Sequence, residues 1–266
     1  MNIKNHILEG ATQLPSPNIG GTLSNPTAIV LHYTASGLGN DGKFFQRDDA
    51  NVSAHLVTER DGKGTQCVAF NRKGWHAGKS IWRGKANCND FTIGIEIDNW
   101  GLLEKRADGH YYSHAGTKID PGLVFVGPNK LGNGKYWEAY SQTQRDAVYA
   151  QCLALVKAYP SIKEVVGHED IAPRRKIDPG PALYDFITYC NNNLFGGGRK
   201  SDAVAKDERT VNAAALSVRN DDRLDATRVG SLKKGDKVNV VYDSGDWSLI
   251  EYEGGEAWVF DKYLTK

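Results

Sequence analysis

Thr27-Ala28-Ile29-Val30-Leu31-His32-Tyr33 is a short β-branched, apolar run that closes on a polar side chain. It reads as a buried strand that delivers His32 at its end. Moving outward, residues 51–70 hold two strand-like segments joined by Arg60-Asp61-Gly62-Lys63, and Asp-Gly is a strong hairpin signal. Thr92-Ile93-Gly94-Ile95-Glu96-Ile97 is a further strand, with Glu96 flanked by isoleucines. Ser141 with Gln144 three residues on makes a capping box, which predicts a helix start. Val148, Cys152, Leu155 and Val156 continue it as one apolar stripe, and Pro160 marks its end. Val165-Val166 lead into Gly167-His168 as a last short strand, and Ala182 to about Asn192 reads as a second helix. Strands mixed with helices predict an α/β fold with a mixed central sheet flanked by helices.

Residues 101–140 interrupt this regularity. They are rich in Gly, Tyr and charge, with turn signals at Asp108-Gly109 and Asn133-Gly134, and read as a lid or binding loop. The run Asn191-Asn192-Asn193-Leu194-Phe195-Gly196-Gly197-Gly198 has linker composition. Beyond it come short alternating strands separated by Lys234-Gly235-Asp236, Ser244-Gly245-Asp246 and Glu253-Gly254-Gly255, the pattern of a small all-β barrel. The expected division is a first domain over 1–195, a linker over 196–208 and a barrel over 209–266.

The chain has 266 residues, 40% hydrophobic and 24% charged, which is ordinary globular composition. A net charge of +1 gives no whole-molecule field for nucleic acid, so no nucleic-acid partner is expected. The barrel itself, with nine Lys/Arg against eleven Asp/Glu in 208–266, stands at −2, which poorly suits a polyanion. No stretch approaches the ~18 apolar residues of a membrane span, and the N-terminus lacks a signal-peptide core. Synthesis in the cytoplasm is therefore expected, and any action outside it needs lysis or a dedicated export machinery as partner. Cys67, Cys88, Cys152 and Cys190 lack C-x-x-C spacing and read as free buried thiols.

His32, His168 and Asp178 are the residue types that a catalytic zinc takes as three protein ligands, leaving one position open. Three prolines stiffen the 167–181 loop that carries two of them. By spacing alone, strand-end histidines are also compatible with ordinary satisfied polar groups.

Five ordered motifs decide between these readings: His32-Tyr33-Thr34-Ala35, Val52-Ser53-Ala54-His55, Gly74-Trp75-His76-Ala77-Gly78, Cys88-Asn89-Asp90-Phe91-Thr92-Ile93-Gly94-Ile95-Glu96 and the 167–181 loop. In this order they resemble the zinc N-acetylmuramoyl-L-alanine amidases, a family that takes in recycling amidases, phage amidases and peptidoglycan recognition proteins. The resemblance spans about 25–190. It implies one Zn2+ per chain held by His32, His168 and Asp178, with Glu96 and Lys176 as catalytic residues. Tyr33, Trp75, His76, Asn89 and His55 fall at substrate-groove or ligand-orienting positions. The C-terminal barrel resembles the bacterial Src-homology-3-like domains of wall hydrolases.

The implied chemistry is hydrolysis of the lactyl-amide bond between N-acetylmuramic acid and L-alanine, with Glu96 moving the proton and Lys176 facing the oxyanion. Peptidoglycan or muropeptides are the expected partners. Where the recycling branch has arginines before its second and fourth motifs, this chain has Asn51 and Asn87, which cannot clamp a carboxylate bidentately. That departure and the added barrel favour polymeric wall as substrate, as for a phage lysin or a delivered toxin. Recycling of small muropeptides is the alternative. A non-catalytic recognition module is disfavoured because all three ligands, Glu96 and Lys176 are kept.

Overall fold

A computed structural model of the chain describes residues 1–37, 39, 41–196, 207–220, 222–244, 246–253 and 255–265. A six-stranded sheet carries the first domain. Its strands are β1 (Thr12–Gln13), β2 (Ala28–Tyr33), β3 (Leu56–Thr58), β4 (Gly64–Gln66), β5 (Thr92–Ile97) and β6 (Glu164–Gly167), in the order β6-β2-β5-β3-β4-β1. β2, β5 and β6 are the uninterrupted apolar runs of the sequence. They pair in parallel, with β6 at the sheet edge beside β2 and with β2 and β5 inside the sheet, and all three are largely buried. The Asp61-Gly62 hairpin pairs β3 with β4 in antiparallel, so the sheet is mixed.

Helix α1 (Gln142–Ala158) starts at the expected capping box, where the Gln144 amide donates to Ser141 Oγ and the Ser141 amide donates to Gln144 Oε1, both at 3.2 Å. It packs Val148, Cys152 and Leu155 into a core with Ile29, Leu31, Ile93 and Ile95. Helix α2 (His168–Ile171) is one turn long and follows β6 directly; α3 (Tyr184–Phe195) closes the layer. The four cysteines are buried and unbridged.

Residues 101–140 are a folded element rather than an irregular loop. Five short antiparallel strands, from Leu102–Lys105 to Tyr136–Glu138, form their own sheet over a small core of Trp100, Leu103 and Ile119. Strands of two to four residues are too short to show alternation in sequence, which is why the segment reads as loop.

The C-terminal unit is a seven-stranded antiparallel sheet from Asp207–Val211 to Leu264–Thr265, with Val218, Val240, Ile250 and Val259 at its centre. Of the expected 196–208 linker, residues 197–206 lie outside the described residues. The barrel rests on the first domain. Ile81 packs with Trp247, Leu249 and Trp258, Lys79 pairs with Asp222, and Arg174 donates to the Tyr252 carbonyl at 3.2 Å. Among the described residues, no helix is long and apolar enough to cross a membrane.

Candidate metal centre

The parallel register of the central strands builds the centre. Glu96 on β5 pairs with His32 on β2, and Gly167 on β6 pairs with Leu31, so His168 follows beside His32. All three groups thus collect at the carboxyl ends of parallel strands, where α/β sheets open their crevices. The stiff loop after α2 folds back, with the Glu169 amide donating to the Asp178 carbonyl at 2.8 Å, and returns the Asp178 carboxylate to the same point.

Three atoms meet there: His32 Nδ1 and His168 Nδ1 at 2.9 Å, His32 Nδ1 and Asp178 Oδ2 at 3.0 Å, His168 Nδ1 and Asp178 Oδ2 at 2.9 Å. Their protonation follows from the outer partners, and we assign it by tracing donors. Thr92 Oγ1 donates to the Cys88 carbonyl at 2.7 Å, so it accepts from His76 Nε2–H at 3.3 Å. His76 Nδ1 is then a bare acceptor, and it takes His32 Nε2–H at 3.1 Å. His168 Nε2–H donates to the Ala77 carbonyl at 3.1 Å. Each ligand-facing Nδ1 therefore presents a lone pair beside a carboxylate oxygen.

Three buried acceptors about 3 Å apart with no proton among them repel one another unless a cation sits between them. Protonating His32 is no substitute, since burial, and then His168, push it down to about 4. Two imidazole nitrogens and one carboxylate oxygen are a zinc donor set, so the residues fit the metal that the sequence implies. His76 is the outer partner that fixes the His32 tautomer. Its approach requires Gly94, because a Cβ there would lie 2.4 Å from His76 Cγ.

Beside the triad opens a cavity of about 650 Å³, lined by Tyr33, Trp75, His76, Glu96 and Lys176. Glu96 is half-buried, and its Oε2 is buried without a hydrogen-bond partner. Burial, then Asp178, raise its carboxyl well above the usual range, while Lys176 opposes the shift. A carboxyl so raised titrates closer to neutrality, as a general base or acid requires. Burial, then Asp178, also push the Tyr33 hydroxyl upward.

Two expected groove residues stand elsewhere. His55 is fully buried behind the wall, its Nε2–H donating to the Arg72 carbonyl at 2.9 Å and its Nδ1 accepting from the Gly94 amide at 3.0 Å. Asn89 Oδ1 accepts from the His76 and Ala77 amides at 3.1 and 2.8 Å, which shapes the 75–77 turn without lining the cavity. The opposite wall was not read from sequence: Asp41, Phe44, Phe45 and Val52 form it. The adjacent Phe44-Phe45 pair in a charged stretch was the available signal. Phe44, Val52 and Trp75 are exposed and give the mouth an apolar rim. A second cleft of about 500 Å³ shares Lys176 and runs between the first domain and the barrel, past Arg174, Glu251 and Glu253.

A family model described as N-acetylmuramoyl-L-alanine amidase matches residues 22–181, more than half of the chain. One described as a bacterial SH3 domain matches residues 214–265. The 1,6-anhydro-N-acetylmuramyl-L-alanine amidase AmpD of Escherichia coli K12 is 31% identical over 197 residues, 66% of this chain and 88% of that protein. The N-acetylmuramoyl-L-alanine amidase AmiD of the same strain is 32% identical over 161 residues, and this chain spans about half of it, 48%. A crystal structure of a selenomethionine derivative of AmpD aligns with a TM-score of 0.52 at 28% identity, covering 73% of this chain and 99% of that one.

Proposed function

This chain belongs to the N-acetylmuramoyl-L-alanine amidase family, and from that premise we propose that His32, His168, Asp178, Glu96 and Lys176 carry its amide hydrolysis on peptidoglycan fragments. The observation that carries the assignment is the meeting of two imidazole lone pairs and one carboxylate beside Glu96. Zinc, when held by His32, His168 and Asp178, supplies Lewis-acid polarisation of the scissile carbonyl and acidifies water. Glu96, in its ionised form, takes a proton from the attacking water and returns it to the departing alanine nitrogen. Lys176 places an ammonium on the cavity side of the loop, where it faces negative charge developing on the carbonyl oxygen. Trp75, Phe44 and Val52 hold apolar parts of the substrate at the mouth, and Tyr33 packs the floor beside His32.

The favoured substrate is a small muropeptide of the 1,6-anhydro class. Support comes from the relative that carries that substrate in its name and of which this chain covers 88%. This reverses the preference for polymeric wall drawn from Asn51, Asn87 and the barrel. A second reading, cleavage within the intact wall, rests on the SH3 match together with Asn51 and Asn87. Mass spectrometry of products from a defined anhydro-muropeptide and from purified sacculi separates the two. Release of free stem peptide from the muropeptide at a rate far above that from sacculi supports the first; the reverse order sinks it.

A further inference from the structure

Lys176 is carried by a segment that has no regular structure of its own. Between α2 and Asp178 run Pro173, Arg174, Arg175 and Lys176, and the Arg175 and Lys176 amides both donate to the Ala172 carbonyl, at 3.2 and 3.0 Å. Within this turn Arg174 takes a φ of 62°, the left-handed region that a residue with a Cβ enters only at a cost. The Lys176 ammonium makes no hydrogen bond or ion pair among the described residues, so its place on the cavity wall is set by the turn that carries it. Two successive arginines hold that turn. Arg175 grips the first domain: its Nε and Nη2 donate to the Lys79 carbonyl at 3.0 and 2.6 Å, and Nη2 donates also to the Ala77 carbonyl at 2.7 Å. Arg174 reaches across to the barrel. Its Nη2 donates to the Tyr252 carbonyl at 3.2 Å, and its guanidinium carbon lies 5.3 Å from the centre of the Tyr252 ring. Tyr252 ends the barrel strand Trp247–Tyr252, and its ring is seated over Gly230, where any Cβ would collide with the hydroxyl.

A left-handed residue other than glycine persists only where its surroundings over-determine it. The metal ligands do not need this one, because the Glu169–Asp178 backbone bond ties His168 and Asp178 together outside the turn. What the Arg174 link does fix is the side of the turn from which Lys176 enters the cavity. We propose that Arg174 is a positioning residue for Lys176, and that its clasp on Tyr252 makes the barrel an anchor of the active site. A planar guanidinium suits the task, since it lies against the ring while its Nη2 meets the carbonyl, and a lysine ammonium reproduces that pair of contacts only in part. A displacement of about 1 Å at a group that must meet developing charge costs up to about 100-fold in rate, so even a modest shift of the turn registers in kcat. This rests on the reading of Lys176 as the group that faces the oxyanion.

The test uses full-length, zinc-loaded protein and a soluble anhydro-muropeptide, and compares Arg174→Gly, Lys176→Ala and the double variant with wild type. Glycine takes a positive φ without strain, so Arg174→Gly removes the clasp and still permits the turn. The expected result is a kcat lowered about 10-fold with KM changed less than about 2-fold, at wild-type zinc content. Arg174→Lys should recover part of the loss. In the Lys176→Ala background Arg174→Gly should bring no further loss, as for two residues acting as one unit. A wild-type kcat in Arg174→Gly overturns the proposal, and so does a loss of equal size in both backgrounds, the mark of an effect that bypasses Lys176. Should Lys176→Ala itself turn over at the wild-type rate, the oxyanion reading has failed first, and the role of Arg174 falls with it. If Arg174→Gly folds poorly by circular dichroism, Tyr252→Leu is measured in the same two backgrounds and decides. A smaller loss of kcat that vanishes without Lys176 supports the proposal, and an additive or absent one overturns it.

Discussion

At the scale of single residues, the centre depends on proton placement as much as on ligand identity. His76 takes the His32 Nε2 proton and passes its own to Thr92, which leaves His32 Nδ1 bare. His76→Ala should therefore weaken zinc affinity about 10–100-fold while all three ligands remain, measured by competition with a chromogenic chelator. Unchanged affinity would mean that His76 only fills space. Glu96→Gln should retain zinc and lower kcat by about 10²–10⁴, since the amide keeps the shape but takes no proton. The pH dependence follows from the direction of the Glu96 shift. Its folded pKa is raised by burial, so the base form is lost as pH falls through that raised value, and the wild-type rate should show an acid limb there. For stability the sign is opposite. The contribution of Glu96 is full below its unfolded pKa and is lost as pH rises through the folded one, so metal-stripped Glu96→Gln should melt above metal-stripped wild type at pH 8. A lower melting temperature for the variant would contradict the burial that sets the shift.

At the scale of elements, the capping box at Ser141 is local, and its removal is additive with changes at the centre. Ser141→Ala should cost about 1 kcal/mol, read as a drop in melting temperature with kcat unchanged. How far the sequence discloses the fold depends on how local each signal is. β2, β5, the Asp61-Gly62 hairpin and α1 are legible because apolar run, turn chemistry and cap all lie within a few neighbouring residues. The sheet inside 101–140 was not legible, because its two- to four-residue strands owe their order to Trp100, Leu103 and Ile119 packing together. The centre divides in the same way. His32, Glu96 and His168 stand in short motifs, and parallel register does the rest. His55 and Asn89 lie in equally specific motifs, yet their hydrogen bonds go to backbone around the centre rather than into the cavity. The Asp41–Phe45 wall carries no motif; only the tertiary fold brings it to the mouth.

At the scale of the whole molecule, the barrel presents Trp247 and Trp258 to Ile81, not to solvent. These two barrel tryptophans are therefore part of an interdomain seam. Removing residues 207–266 uncovers that seam, so the shortened chain should melt lower than the intact one and lose activity on soluble muropeptide and on sacculi together. Selective loss on sacculi, with an unchanged melting temperature, would instead give the barrel a targeting role. The ligand triad has a topological consequence as well. His32 and His168 are 136 positions apart, so an ion shared between them would close more than half of the chain into one loop. Loop closure grows costly only as the logarithm of length, and a clip of this span withdraws many open conformations from the unfolded ensemble at once. Chelation thus cuts a covalent-like tether, and a metal-stripped chain should become sensitive to proteases throughout residues 33–167, well beyond the neighbourhood of the ligands themselves.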